Sequence, residues 1–277
     1  MAIITISRPY GSGGTLFAQE LAKKISYNYI DKNYCAIVGD EVKHCLTYFE
    51  QEEETAPVLL DRISDLMSNR SFYKVNLLAT VYSLALKNNV IFVGRGANII
   101  LQGIPNVLSL QIVGNLDDRV RAIAELKGIN YDDALKLIQR MDNEKKKFIE
   151  YYFDKNIFDP TLYHFVINLS YVPLNNAVDS IIDYVNKYYT EDDYKNSEGI
   201  LKNRLIEKKA EIIVFGLNLT QNTKTNFTMK DDGTLVVKGI VSSENEKKKL
   251  LKALEHIEDV KNIEDNLKIG ILSRMIY

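Results

Sequence analysis

Near the N-terminus the run Arg8-Pro9-Tyr10-Gly11-Ser12-Gly13-Gly14-Thr15 gathers residue types suited to holding a phosphate. Glycines let backbone N–H groups approach an anion closely, and a helix beginning there adds partial positive charge. Thr15 offers a hydroxyl that could reach a metal ion, and Arg8 is the one cation inside the run. Set against G-x-x-x-x-G-K-[ST], Gly13 and Thr15 fit, while Arg8 stands at the first glycine and Gly14 at the lysine. A glycine-rich turn in a plain βα unit would share this composition. The position directly after a strand favours phosphate.

The elements around the run are those that aim such a loop. An apolar run over 3–6 precedes it, and Leu16, Phe17, Leu21 and Ile25 follow at helical spacing. Residues 27–38 leave that helix and bring Asp31 into a turn. An acidic run over 40–56 reads as a solvated face or loop, and helices are expected over 57–70 and 72–88. Continuous apolar runs at 90–94, 107–113 and 163–169 read as buried parallel strands. Helices are expected over 116–127, 131–150 and 174–188. Alternating strands and helices define an α/β domain, a parallel sheet with helices on both faces. In such sheets ligands bind beyond the carboxyl ends of the strands. The loop at 8–15, Arg95 and the turn after Val113 all fall there.

The pattern changes at 191–200, a polar stretch that reads as a linker between domains 1–190 and 201–277. Residues 201–216 look helical and then strand-like. Strands at 224–230 and 234–241 flank the hairpin signal Asp231-Asp232-Gly233, a lysine-rich helix covers 243–257, and 260–269 alternates as a last strand. This is a small α+β unit.

Composition excludes some classes. The chain has 277 residues, 46% hydrophobic and 26% charged, which suits a globular protein with a sizeable core. A net charge of −2 argues against broad nucleic-acid binding. No apolar run approaches the roughly 20 residues of a membrane span. A strand at the very N-terminus leaves no room for a signal peptide, so a cytoplasmic location is expected. Cys35 and Cys45 lack metal spacing and read as packing thiols.

Five segments carry a resemblance: ITISRPYGSGG near the start, YIDK at 29–32, VIFVGRGANIIL at 90–101, DDRVRAIAE at 117–125 and YHFVINLS at 163–170. In this order they resemble the cytidylate-kinase-like proteins, a branch of the P-loop nucleoside monophosphate kinases. The stretch from Asp232 to Ile269 is similar to a BON domain, a small bacterial α/β module. The resemblance implies ATP and Mg²⁺ as cofactors and transfer of the γ-phosphoryl to a nucleoside monophosphate, CMP or dCMP first. It implies that the amides of Gly11, Ser12, Gly13, Gly14 and Thr15 hold the ATP phosphates. It places Arg95 and Asp31 at the acceptor, and Arg140, Lys145 and Lys146 on a mobile lid. It leaves open a protein or small ligand for the BON-like unit, and a homodimer.

The departures define an alternative. The loop lysine is Gly14, the aspartate of the family's G-R-D is Gly96, lid arginines are largely lysines, and the carboxylate of its Y-D-L strand is His164. Arg8 is then expected to supply the lost charge, beside Arg140, Lys145 and Lys146 as catalytic cations. Otherwise the chain is a nucleotide-binding regulatory protein with little turnover, whose BON-like unit carries the output.

Overall fold

The computed structural model describes residues 2–31, 70–217, 219 and 223–270. The acidic run over 40–56, the helix expected over 57–70 except its last residue, and both cysteines lie outside the described residues. In chain order the elements are β1 (Ile3–Ser7), α1 (Gly14–Ile25), β2 (Asn28–Ile30), α2 (Arg70–Leu86), β3 (Val90–Val93), α3 (Ala97–Ile100), β4 (Val107–Val113), α4 (Leu116–Lys127) and α5 (Tyr131–Phe153). They continue with a 3-10 turn (Pro160–Leu162), β5 (Phe165–Asn168), α6 (Leu174–Tyr188), α7 (Glu191–Gly216), β6 (Lys224–Met229), β7 (Thr234–Val241), α8 (Glu244–Leu254) and β8 (Asn262–Ile269). They form two compact units, one of residues 2–31 and 87–197 and one of residues 70–86, 198–217, 219 and 223–270.

The first unit is built on a five-stranded parallel sheet in the order β2-β3-β1-β4-β5. Side chains alternate across it. Ile4, Ile6, Ile91, Val93, Leu108, Leu110 and Ile112 share one face, packed against Phe17, Ala18 and Leu21 of α1 and Ala177, Val178 and Ile181 of α6. The other face is more polar, with Thr5, Ser7, Ser109 and Gln111 buried on it. There Thr5 Oγ1 donates to Ser109 Oγ at 3.0 Å, and Gln111 Nε2 donates to the Ile157 carbonyl at 3.1 Å. Ser7 pairs in register with Gln111, and the Gly94 N–H donates to Ile6 O at 3.0 Å. The turns after β1, β3 and β4 therefore lie side by side at one end of the sheet.

Three expectations change. The strand expected to be buried over 163–169 is the sheet's edge, paired only with β4 among the described residues, and Val166 is 47% exposed. His164, just before it, is exposed; its Nδ1 accepts from the Ser109 N–H at 2.9 Å. The stretch 191–200 is helical. Asp193 N–H donates to Thr190 Oγ1 at 3.2 Å, and Thr190 N–H donates to the Asp193 carboxylate at 2.9 Å, a reciprocal cap that starts α7. The same hydroxyl and amide hold the Asp193 carboxyl below its usual range. Finally, the strand-like end of 201–216 stays helical, because Ile212 and Ile213 are apolar for a core contact.

In the second unit β6 runs antiparallel and β7 parallel to its next neighbour, in the order β6-β7-β8, with α8 as the crossover. Its core joins Leu235 and Val237 to Leu250 and Leu254 of α8 and to Ile206 and Ile213 of α7. The hairpin, helix and last strand lie where the sequence placed them. Helix α2 belongs to this unit, with Phe72 edge-to-face on Phe215 at 5.4 Å. No described helix is long and apolar enough to cross a membrane.

A chain ending at Thr190 would keep α2 but lose the α7 residues it packs on. Exposing one buried phenylalanine costs about 1.5–3 kcal/mol. The truncated chain is expected to melt lower and aggregate in light scattering; melting and solubility equal to the full chain would show that α2 stands without its partner.

Candidate active site

The loop between β1 and α1 has a backbone that its glycines make possible. Gly11 and Gly13 are left-handed, at φ 79° and 78°. A Cβ at Gly11 would stand 2.9 Å from Ile123 Cγ1 and 3.2 Å from the Arg119 carbonyl oxygen, so the loop lies tight against α4. The buried Ser12 hydroxyl shares its proton between the carbonyls of Pro9 and Ile112, each 3.0 Å away. Gly13 is the N-cap of α1 and supplies no side-chain cap, and the first turn holds no acidic residue. Thr15 is exposed in that turn. An uncapped helix start with open N–H groups suits an anion.

Arg8 explains the glycine at the lysine position. A Cβ at Gly14 would come within 2.6 Å of Arg8 Cβ, 2.9 Å of Arg8 Cγ and 3.1 Å of Ile112 Cβ. The arginine stem fills the space from which a lysine side chain would start. At its other end, a Cβ on Gly94 would stand 2.6 Å from Arg8 Nη1. Arg8 thus runs from the glycine loop to the end of β3, and a glycine makes room at each end. Burial lowers its guanidinium from the ordinary value, with Tyr29 and Asp31 opposing the shift. Asp31 directly follows β2, so the structure brings it into electrostatic reach of Arg8.

The turn after β3 is left-handed throughout, with φ 87° at Gly94, 56° at Arg95 and 72° at Gly96. Arg95 is the strained member, since a residue with a Cβ held there costs of order 1–3 kcal/mol. Its guanidinium carbon lies 5.1 Å from the ring centre of Phe148 on α5. A Cβ at Gly96 would meet the Phe153 ring at 2.6 Å, which accounts for the missing aspartate.

The expected lid residues on α5 divide. Lys145 Nζ donates to the Arg8 carbonyl at 3.2 Å and lies 5.6 Å over the Tyr10 ring. Lys146 pairs with Glu150 at 3.7 Å along the helix surface, and Arg140 is exposed. The structure therefore brings Lys145 to the loop and leaves Lys146 and Arg140 on the outer surface of α5. Sequence reasoning missed Arg119 and Asp142. Asp142 accepts from the Tyr10 N–H at 2.7 Å and forms an ion pair with Arg119, whose Nε donates to the Tyr10 carbonyl at 2.9 Å. The available signal was Arg119 one helical turn before Ile123, on the buried side of α4. Ser7, Arg8, Gln111, Asp142, Lys145 and Phe158 line a small cleft beside the loop.

Residues 3–171 match the model of the cytidylate kinase-like family. A cytidylate kinase of Staphylothermus marinus is 25% identical over 192 residues, 69% of this chain and 100% of that protein. One of Pyrobaculum calidifontis is 23% identical over 190 residues, 67% of this chain and 93% of that protein. A solved structure of an uncharacterized protein from Eubacterium ventriosum shares the fold at a TM-score of 0.52 and 24% identity, covering 68% of this chain and 99% of its own. The chain belongs to the cytidylate kinase-like family.

Restoring the lysine should harm this loop. Gly14→Lys drives a side chain into the Arg8 stem, and such overpacking costs about 1–3 kcal/mol. Thermal melts should show the loss, and Arg8→Gly with Gly14→Lys should recover part of it. Equal melting of Gly14→Lys and wild type would show that Arg8 does not occupy the lysine's place.

Proposed function

We propose that this chain is an ATP-dependent phosphotransferase acting on a nucleoside monophosphate, CMP or dCMP first. The observation that carries the reading is the course of Arg8. Its stem covers the glycine at the loop's lysine position, and its guanidinium reaches Gly94, which supports Arg8 as the cation that serves in the lysine's stead.

In this reading the N–H groups around Gly11, Ser12, Gly13, Gly14 and Thr15 hold the ATP phosphates, with Ser12 spending its hydroxyl on loop shape. The exposed Thr15 hydroxyl fits a hydrated Mg²⁺, which when bound neutralises charge on the β- and γ-phosphates. The Arg8 guanidinium, beside Gly94, faces the phosphoryl in transfer. Arg95 and Asp31 serve the acceptor, and Lys145 stays with the loop from the lid side. The two runner-up cations, Arg140 and Lys146, would act only after α5 moves. Developing charge on the transferred group needs a fixed donor in a site that excludes water, and Arg8 is built into the loop itself.

A second reading rests on Gly14 and Gly96. With neither lysine nor aspartate, the chain would bind nucleotide with little turnover, and the C-terminal unit, read as BON-like, would carry the output to a partner or ligand. In either reading a cytoplasmic place suits a nucleotide ligand.

Arg8→Ala separates the readings. A transition-state contact affects rate more than binding, so kcat should fall by about two to three powers of ten while ATP affinity changes less. Arg8→Lys should restore part of the rate, since an ammonium lacks the planar fork. Arg95→Ala should weaken the monophosphate about ten- to a hundredfold and ATP little, the cost of one charged hydrogen bond. Steady-state kinetics beside calorimetric titrations read both. An active wild type whose kcat is untouched in Arg8→Ala would refute the role of Arg8, and equal weakening of both ligands would refute that of Arg95.

A further inference from the structure

The contact between Asp142 and Tyr10 is unusual chemistry for a phosphate site. A carboxylate, 18% exposed, stands beside a loop whose N–H groups suit an anion. An unneutralised negative charge there would repel phosphate. Here Arg119, 11% exposed, pairs with it. The same arginine donates through Nε to Tyr10 O at 2.9 Å, and the second carboxylate oxygen accepts the Tyr10 N–H at 2.7 Å. Both polar groups of Tyr10 on the main chain are thus held by one closed ring of contacts between α4, α5 and the loop.

Tyr10 directly precedes Gly11, where the chain enters its left-handed turn. On the far side of that turn the Ser12 hydroxyl ties the loop to Pro9 O and Ile112 O. Ser12 fixes the loop to the sheet, and the ring at Tyr10 fixes it to α4 and α5. Phosphate-binding N–H groups act only when they are already aimed, because reorganising them at binding weakens the ligand.

We infer that Asp142 is a positioning residue: with Arg119 as its counter-charge, it holds the Tyr10 peptide so that the N–H groups of the following glycines face the ATP phosphates. The inference rests on the nucleotide-binding reading of the loop. Asp142 itself touches no phosphate. It acts through Tyr10, and because it lies on α5 it couples the loop's shape to the place of that helix.

The test uses the full chain as wild type, Asp142→Ala and Asp142→Asn. Amide hydrogen exchange, read residue by residue by NMR without nucleotide, reports the loop directly. Calorimetry with ATP and Mg²⁺ reports the consequence. In Asp142→Ala the Tyr10 N–H should exchange about tenfold faster or more, the loss of one charged hydrogen bond, while Ile4 and Ile6 in β1 keep their protection. ATP affinity should fall about ten- to a hundredfold from misplacement alone. Asp142→Asn keeps an acceptor for Tyr10 but loses the charge partner of Arg119, so it should lie between the two, and it carries the test if the alanine variant does not fold. Unchanged exchange at Tyr10, or unchanged ATP affinity in a wild type that binds it, overturns the inference. A wild type that binds no ATP defeats the nucleotide reading instead, and the exchange data still decide whether Asp142 positions the loop.

Discussion

The stem of Arg8 lying on Gly14 is the constraint from which the rest of the site follows. It excludes any side chain at the first residue of α1, and so excludes the lysine that such loops ordinarily carry. It also sends a guanidinium across the end of the sheet to Gly94, which must likewise lack a Cβ. Two glycines and one arginine therefore form a single unit, although Gly14 and Gly94 lie far apart in the chain. Burying a guanidinium is costly without partners. Tyr29 and Asp31, at and after β2, favour its charged form.

The sheet makes this possible because parallel pairing brings the carboxyl ends of β1, β2 and β3 together. The glycine loop is held on its sheet side by the Ser12 hydroxyl and on its helix side by Arg119, Asp142 and Lys145. The turn after β3 is held by Phe148 and Phe153, which sit on the same α5 as Asp142 and Lys145. One helix thus contacts both the glycine loop and the turn after β3.

Much of this was legible in the residues. Strands β1, β3 and β4 were plain as β-branched runs because both their faces are buried. The hairpin at Asp231-Asp232-Gly233 was plain because its turn chemistry is local. The division between the two units falls within 191–200, but that stretch is helical, and its composition masked the capping box of Thr190 and Asp193 that starts the helix. The end of 201–216 looked strand-like because a buried helical turn and a strand share apolar content over so short a run. Within the site, the glycine loop, Arg8, Arg95 and Asp31 could be named from type and position. Arg119 carried only the signal of its place one helical turn before Ile123, and Asp142 carried none, since the loop group that the pair holds is the main chain of Tyr10, and hydrogen bonds to a peptide leave no mark on the partner's residue type. Nor could a sequence show that α2 packs with the C-terminal unit, a matter of which apolar faces meet.

The central claim is that a site without the loop lysine still transfers a phosphoryl group. It is tested most directly by coupled measurement of ADP release from the wild-type chain, with ATP and Mg²⁺, across CMP, dCMP, UMP, AMP and the free nucleosides. The account expects ADP release that depends on a monophosphate acceptor, strongest with CMP or dCMP and absent with nucleosides. ATP binding without acceptor-dependent ADP release from any of them would contradict it.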